Sequence, residues 1–217
     1  MAVKDWKSAP AKERAKKVIE ELKKYYEDRS GLNHNNPFEL LVATILSAQC
    51  RDERVNQVTP ALFEKYPDAR ALADAPLEEV DETIRTINFH SGKSRNIIAA
   101  SQVLVEKYLG EVPADMDALT QLPGVGRKTA NVVLGTAFNL PAITVDTHFR
   151  RVSSRLEFTQ NTDPDKIEQD IIKIIPPREQ TGFSHRLIWH GRKVCFARKP
   201  DCSTCGIAKY CPSEGRA

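Results

Sequence analysis

The sequence predicts an all-α protein. Apolar residues recur at three- and four-residue intervals along nearly all of its 217 residues, and alternating strand patterns are almost absent. Prolines at 10, 113, 141, 164 and 176–177 fall between periodic segments and so punctuate helices. Only Pro141 to Val145 leans toward extended structure, and that run is too short to build a sheet.

Residues 12–29 place Val18, Ile19, Leu22, Tyr25 and Tyr26 on one stripe among many Lys and Glu, an amphipathic helix. Asn36-Pro37 reads as an N-cap followed by a first-turn proline. It opens an apolar helix through Leu40, Leu41, Ile45 and Leu46. Helical spacing continues over residues 51–63, 77–87, 91–108 and 127–138, then over 147–156, 165–174 and 180–194.

Thirty-two Lys and Arg against 29 Asp and Glu give a net charge of +3, which permits nucleic-acid binding without arguing for it. No apolar stretch reaches the length of a membrane span, and the charged start of the chain lacks a secretory apolar run. The expectation is a monomeric cytoplasmic protein that does not engage membranes. Disulfides are disfavoured there, so the five cysteines need another account.

Four of them, Cys195, Cys202, Cys205 and Cys211, follow the spacing C-x6-C-x2-C-x5-C. Thiolates this dense ligate soft metals, and spacing alone leaves zinc and an iron–sulfur cluster both open. No open ligand position or neighbouring base suggests catalysis, so the expected role is structural. Cys50 stands apart and reads as a small, partly buried hydrophobe.

Leu122-Pro-Gly-Val-Gly-Arg-Lys-Thr129 sits between helical segments. Gly124 and Gly126 let the backbone turn tightly, and the amides that follow open a helix toward an anion. A plain helix–helix turn needs glycine but not the Gly-Arg-Lys sequel. Walker A is excluded, because Arg127 precedes Lys128 where glycine is required and no strand leads in. Lys128 lies at the positive end of that helix, where an ammonium is disfavoured and burial would favour the free amine further. A free amine is a nucleophile toward a sugar carbon; a phosphate-binding cation is the equal competing reading. Asp146, ahead of another helix, reads locally as an N-cap and functionally as a carboxylate able to take a proton.

Taken together, Leu122 to Asn131, Val145-Asp-Thr-His148 and the cysteine tail resemble the endonuclease III family in order and spacing. The likeness begins at Pro37 to Leu41 and Leu46 to Gln49 and covers nearly the whole chain. These are DNA glycosylases of the helix–hairpin–helix superfamily. The resemblance implies a six-helix barrel over residues 31–140 with the helix–hairpin–helix at about 117–138. Residues 1–30 with 141–217 would form an iron–sulfur domain, a DNA-binding cleft lying between the two. It implies a [4Fe–4S] cluster on the four cysteines, a monovalent cation at the hairpin, and damaged double-stranded DNA as partner. Lys128 becomes the nucleophile and Asp146 its carboxylate. Excision of oxidised pyrimidines then passes through a lysine Schiff base, and β-elimination cuts the strand.

The family fills the hole left by a flipped nucleotide with residues matching Gln49 and Phe89. Asn88 and His90 depart from the family's glycine and tyrosine there, which leaves lesion preference and opposite-base contacts open. Arg127, Arg192, Lys193, Arg198 and Lys199 are candidate phosphate contacts, joined by His148 and His90 as DNA-facing residues. Arg51 and Arg186 read as solvated charges. Two other readings stay in view: a glycosylase for alkylated or mispaired bases with weak lyase activity, and a lesion-binding redox sensor with little catalysis.

Overall fold

The computed structural model describes residues 5–216. The first four residues and the last, both assigned from sequence to the iron–sulfur domain, lie outside the described residues. Among the described residues there are eleven α-helices, two 3-10 turns and no strand. The chain divides into two compact units, one running Ser30–Leu140 and the other joining the N-terminal helix to everything from Pro141 onward.

In the Ser30–Leu140 unit the helices are α2 (Pro37–Ser47), α3 (Asp52–Lys65), α4 (Ala69–Ala73), α5 (Leu77–Thr83), α6 (His90–Tyr108), α7 (Met116–Thr120) and α8 (Arg127–Ala137). α2 is buried at every position from Phe38 to Leu46, as a helix apolar on all faces must be. It packs against α3, α6 and α8 and forms the centre of the unit. The expected cap is present: Asn36 accepts from the Glu39 amide at 2.9 Å, and Glu39 reaches back to the Asn35 amide at 2.7 Å. At the other end of α2, the Lys93 ammonium donates to the carbonyls of Leu46 (2.8 Å) and Ala48 (2.6 Å). Burial lowers the Lys93 pKa below the ordinary lysine value.

The second unit holds α1 (Ala11–Tyr25), α9 (Thr147–Arg155), α10 (Pro164–Ile174) and α11 (Gln180–Lys193). Its core gathers Val18, Leu22, Phe149, Val152, Ile167, Ile171, Phe183 and Leu187, with Phe149 edge-on to Phe183 at 5.9 Å. α9 and α11 approach closely at Gly191, where a Cβ would lie 2.9 Å from the His148 Cβ. Buried Arg14 donates to the Ala9 carbonyl at 3.0 Å and to the Tyr210 carbonyl at 3.3 Å, tying α1 to the cysteine tail. Pro141 to Val145 belongs to neither a helix nor a strand, and the Thr144 amide donates to the Ser184 hydroxyl at 3.1 Å. Arg186 is not the solvated charge expected: it donates to the Tyr26 carbonyl and lies 3.6 Å from Asp28.

Candidate nucleic-acid interface and metal centre

α7 is capped by Asp115, which accepts from the Ala118 amide at 2.8 Å. The hairpin that follows is anchored by buried Leu122 and Val125, with the Val125 amide donating to the Leu122 carbonyl at 3.1 Å. Gly124 is required twice over: its φ is +79°, and a Cβ there would lie 3.0 Å from Asn96. Gly126 is different, because a Cβ there would enter open space. It is the N-cap of α8 and, as glycine, offers that helix no side-chain cap, a property α8 shares with α1, α3, α5, α6 and α11. Arg127 and Lys128 are both exposed.

Gln49 and Phe89 share an uncommon backbone. Both are exposed, with φ of 53° and 60°, in the left-handed region that disfavours side chains larger than glycine. Phe89 is 68% exposed, so it is not the core aromatic that its apolar bulk would suggest. Asn88 donates to the Gln49 carbonyl at 2.7 Å, joining the two loops. His90, at the start of α6, is held by Asp81 at 2.8 Å, and this bond lowers the Asp81 pKa.

Asp146 caps α9 by accepting from the Phe149 amide at 2.7 Å. It belongs to the unit from Pro141 onward, whereas Lys128 belongs to Ser30–Leu140. His148 pairs through Nδ1 with Arg151 at 3.1 Å, and Arg151 also donates to the carbonyls of Gly191 (2.8 Å) and Cys195 (3.0 Å). The Arg192 guanidinium and the Lys193 ammonium each lie 5.3 Å from the centre of the Trp189 ring. Arg198 and Lys199 are exposed on the loop between the first two cysteines.

Cys195, Cys202, Cys205 and Cys211 line one pocket whose walls include Val152, Leu156, Val194 and Ile207. Among the described residues no three His, Cys, Asp or Glu side chains lie close enough to grip a single ion. The thiols surround the pocket, a donor set that suits a group offering one iron to each sulfur. Burial pushes the Cys205 thiol up to about 11 and raises Cys211, so only a positive metal centre would hold them as thiolates.

The surrounding hydrogen bonds were invisible in the sequence. Arg155 donates to the Cys195 sulfur (3.2 Å) and to the carbonyls of Phe196 (2.7 Å) and Ala197 (3.1 Å), fixing the exposed loop. Buried His190 bridges Tyr26 (3.2 Å from Nδ1) and the Cys205 sulfur (3.5 Å from Nε2). Its pKa is lowered to about 4 by burial, so the ring is neutral at pH 7. Were Cys205 a metal-bound thiolate, which only accepts, Nε2–H would point at the sulfur and Tyr26 would donate to Nδ1.

Comparisons with known proteins meet this geometry at both ends. Residues 42–177 match the model of HhH-GPD superfamily base excision DNA repair proteins. Residues 195–211 match the iron–sulfur binding domain of endonuclease III. The chain is 52% identical over 209 residues to endonuclease III of Synechocystis sp., covering 95% of each protein. It is 44% identical over 180 residues to endonuclease III of Escherichia coli, covering 83% of this chain and 85% of that protein. A structure of a trapped endonuclease III–DNA covalent intermediate superposes with a TM-score of 0.87 at 45% identity, over 94% of this chain and 96% of that one. With its all-α fold, its match to the superfamily model and an iron–sulfur binding domain that brings a [4Fe–4S] cluster, this chain belongs to the endonuclease III family of the HhH-GPD superfamily.

Proposed function

We propose that this protein removes oxidised pyrimidines from duplex DNA through a Schiff base on Lys128 and then cuts the strand by β-elimination. Its activity class is that of its family, a base excision repair DNA glycosylase with AP lyase activity on damaged duplex DNA. The observation that carries the residue-level reading is an exposed lysine in the first turn of the helix that directly follows the Gly124–Gly126 hairpin.

The hairpin amides grip a phosphate, with the open space at Gly126 leaving room for it and a monovalent cation assisting. The damaged nucleotide leaves the stack, and Gln49 and Phe89 take its place. Closure of DNA over the exposed lysine supplies the desolvation that the free chain lacks. The Lys128 amine attacks C1′ as the glycosidic bond breaks, and the base departs as its anion with the electron pair and takes a proton from water. Asp146 accepts the proton from the lysine and stabilises positive charge at the sugar. Ring opening gives the protonated imine; loss of a C2′ proton then expels the 3′ phosphate. Arg127, Arg192, Arg198, Lys199, His90 and His148 are the proposed DNA-facing residues, with Arg192 braced on Trp189 and His148 on Arg151.

The four cysteines hold a cluster that contributes folding free energy and a fixed Arg198–Lys199 loop rather than acid–base chemistry. The holoprotein is accordingly expected to be brown, with a broad visible absorption band. Changing Cys202 to serine should bleach it, open residues 195–211 to proteolysis and weaken duplex binding. A colourless protein carrying stoichiometric zinc contradicts the assignment.

Phe89→Gly is expected to raise stability by up to about 1 kcal/mol, because it relieves left-handed strain and little buried area goes with the ring. The same change should weaken binding to an abasic duplex. Thermal melting and titration check the two halves separately.

No described helix is long and apolar enough to cross a membrane. Bacterial relatives and a DNA substrate support a cytoplasmic, nucleoid-associated prokaryotic enzyme. The discriminating experiment is one set of duplexes carrying thymine glycol, dihydrouracil, an abasic site or an alkylated purine. Cleavage 3′ to the first three supports the proposal. Release of the alkylated purine alone, without strand cleavage, sinks it.

A further inference from the structure

The exposed residue Asn88 has an engaged side chain. Its amide donates to the carbonyl of Gln49, 39 residues earlier, at 2.7 Å. Five residues further on, Lys93 donates to the carbonyls of Leu46 and Ala48. Segment 88–93 therefore holds three carbonyls of segment 46–49, at the end of α2 where helix geometry leaves carbonyls without intrahelical partners.

The side chains those segments carry contribute little to holding them. Gln49 and Phe89 are both exposed, so burial fixes neither ring nor amide. Both residues also occupy left-handed backbone, which relaxes unless neighbouring bonds over-determine it. Lys93 secures the end of α2, but only Asn88 among these donors reaches Gln49 itself, and it does so from the residue adjoining Phe89.

We infer that Asn88 is a positioning residue that locks the Gln49 and Phe89 loops into one wedge, so that both side chains enter the damaged duplex together. This rests on the reading of Gln49 and Phe89 as the residues that fill the vacated stack. A glycine at position 88 has no donor for the Gln49 carbonyl and leaves the two segments joined only through Lys93, which does not reach Gln49. The consequence is selectivity for lesions: the wedge engages only where a nucleotide has left the helix, so undamaged duplex does not sense Asn88.

The test compares affinity for a duplex carrying a tetrahydrofuran abasic analogue with affinity for the same duplex undamaged. Asn88→Ala and Asn88→Gly should each lower the lesion-over-undamaged ratio by about 2- to 10-fold, the range of one ordinary hydrogen bond. Undamaged-duplex affinity should stay at the wild-type value, and melting temperature should fall by no more than the loss of one exposed hydrogen bond. In a Gln49→Ala background the effect of Asn88→Ala should shrink, because the side chain it positions is gone.

An unchanged ratio in Asn88→Ala, alongside a lowered one in Gln49→Ala or Phe89→Ala, overturns the inference and spares the wedge. Fully additive effects of Asn88→Ala and Gln49→Ala also overturn it, as does an equal weakening on both duplexes. If Gln49→Ala and Phe89→Ala both keep the wild-type ratio, the wedge reading fails and the inference falls with it.

Discussion

Lys128→Ala should abolish the borohydride-trapped adduct with an abasic duplex and slow strand cleavage by at least about 10^3-fold, the scale on which loss of a covalent nucleophile falls. The fold should survive intact. Lys128 is exposed in the first turn of α8, and alanine is the better helix former. Removing a cation from the positive helix end is itself expected to stabilise by about 0.3–1 kcal/mol. Duplex affinity should change little, because the hairpin amides that grip phosphate belong to the backbone. The competing role, a phosphate-binding cation, has the opposite signature. It predicts weaker binding to every duplex, a salt slope reduced by about one and a trapped adduct that persists. Trapping and a salt titration on the same variant separate the two.

Asp146→Asn should lower turnover by about 10^2-fold or more, the usual scale of a positioned acid or base, while leaving stability within about 0.5 kcal/mol. The reason lies in the cap. Asp146 accepts from the Phe149 amide at 2.7 Å, and asparagine offers the same acceptor at an N-cap with similar strength. The charge and the basic oxygen are lost, whereas the start of α9 is kept. Asp146→Ala removes both, so it should lose activity and also about 1 kcal/mol of stability. Comparing melting temperature with single-turnover rate across the two variants separates cap from carboxylate. Equal activity in Asp146→Asn and wild type reduces Asp146 to a structural cap.

The long helices were legible because each carries its own periodic apolar stripe and its own boundary chemistry. α2 is the clearest case, with Asn36 and Pro37 marking its start as expected and Glu39 completing the cap. α4, a single turn capped by Asp68, was not anticipated, because five residues are too few to express a period. Ends were less legible than existence. The first helix stops at Tyr25 rather than running to Arg29, since Tyr26 turns extended and its hydroxyl meets His190, 164 residues away. The segment expected to be helical to 87 ends at Thr83, as the chain turns toward the left-handed Phe89.

The site divides the same way. Cysteine spacing and the glycine hairpin carry physical meaning in short windows of sequence, and the structure places the four thiols around one pocket. Lys128 and Asp146 could not be paired from spacing, and only the family resemblance assigned them roles. The arginines that shape the cysteine loop had no local signal at all. Arg155 acts on carbonyls and a sulfur some 40 residues away, and Arg151 on carbonyls at similar range. Contacts between an arginine and a distant backbone carbonyl do not select residue types at the acceptor, so no sequence pattern betrays them. Asn88 was visible as a departure, but its acceptor was not, for the same reason.

The central claim, that Lys128 forms the covalent bond to the sugar, is tested most directly on the wild-type protein. Borohydride reduction of the complex with an abasic duplex, followed by nuclease and protease digestion, leaves the sugar fragment on one peptide whose modified residue mass spectrometry can identify. The account predicts the adduct on Lys128. An adduct on any other amine, with Lys128 recovered unmodified, contradicts it.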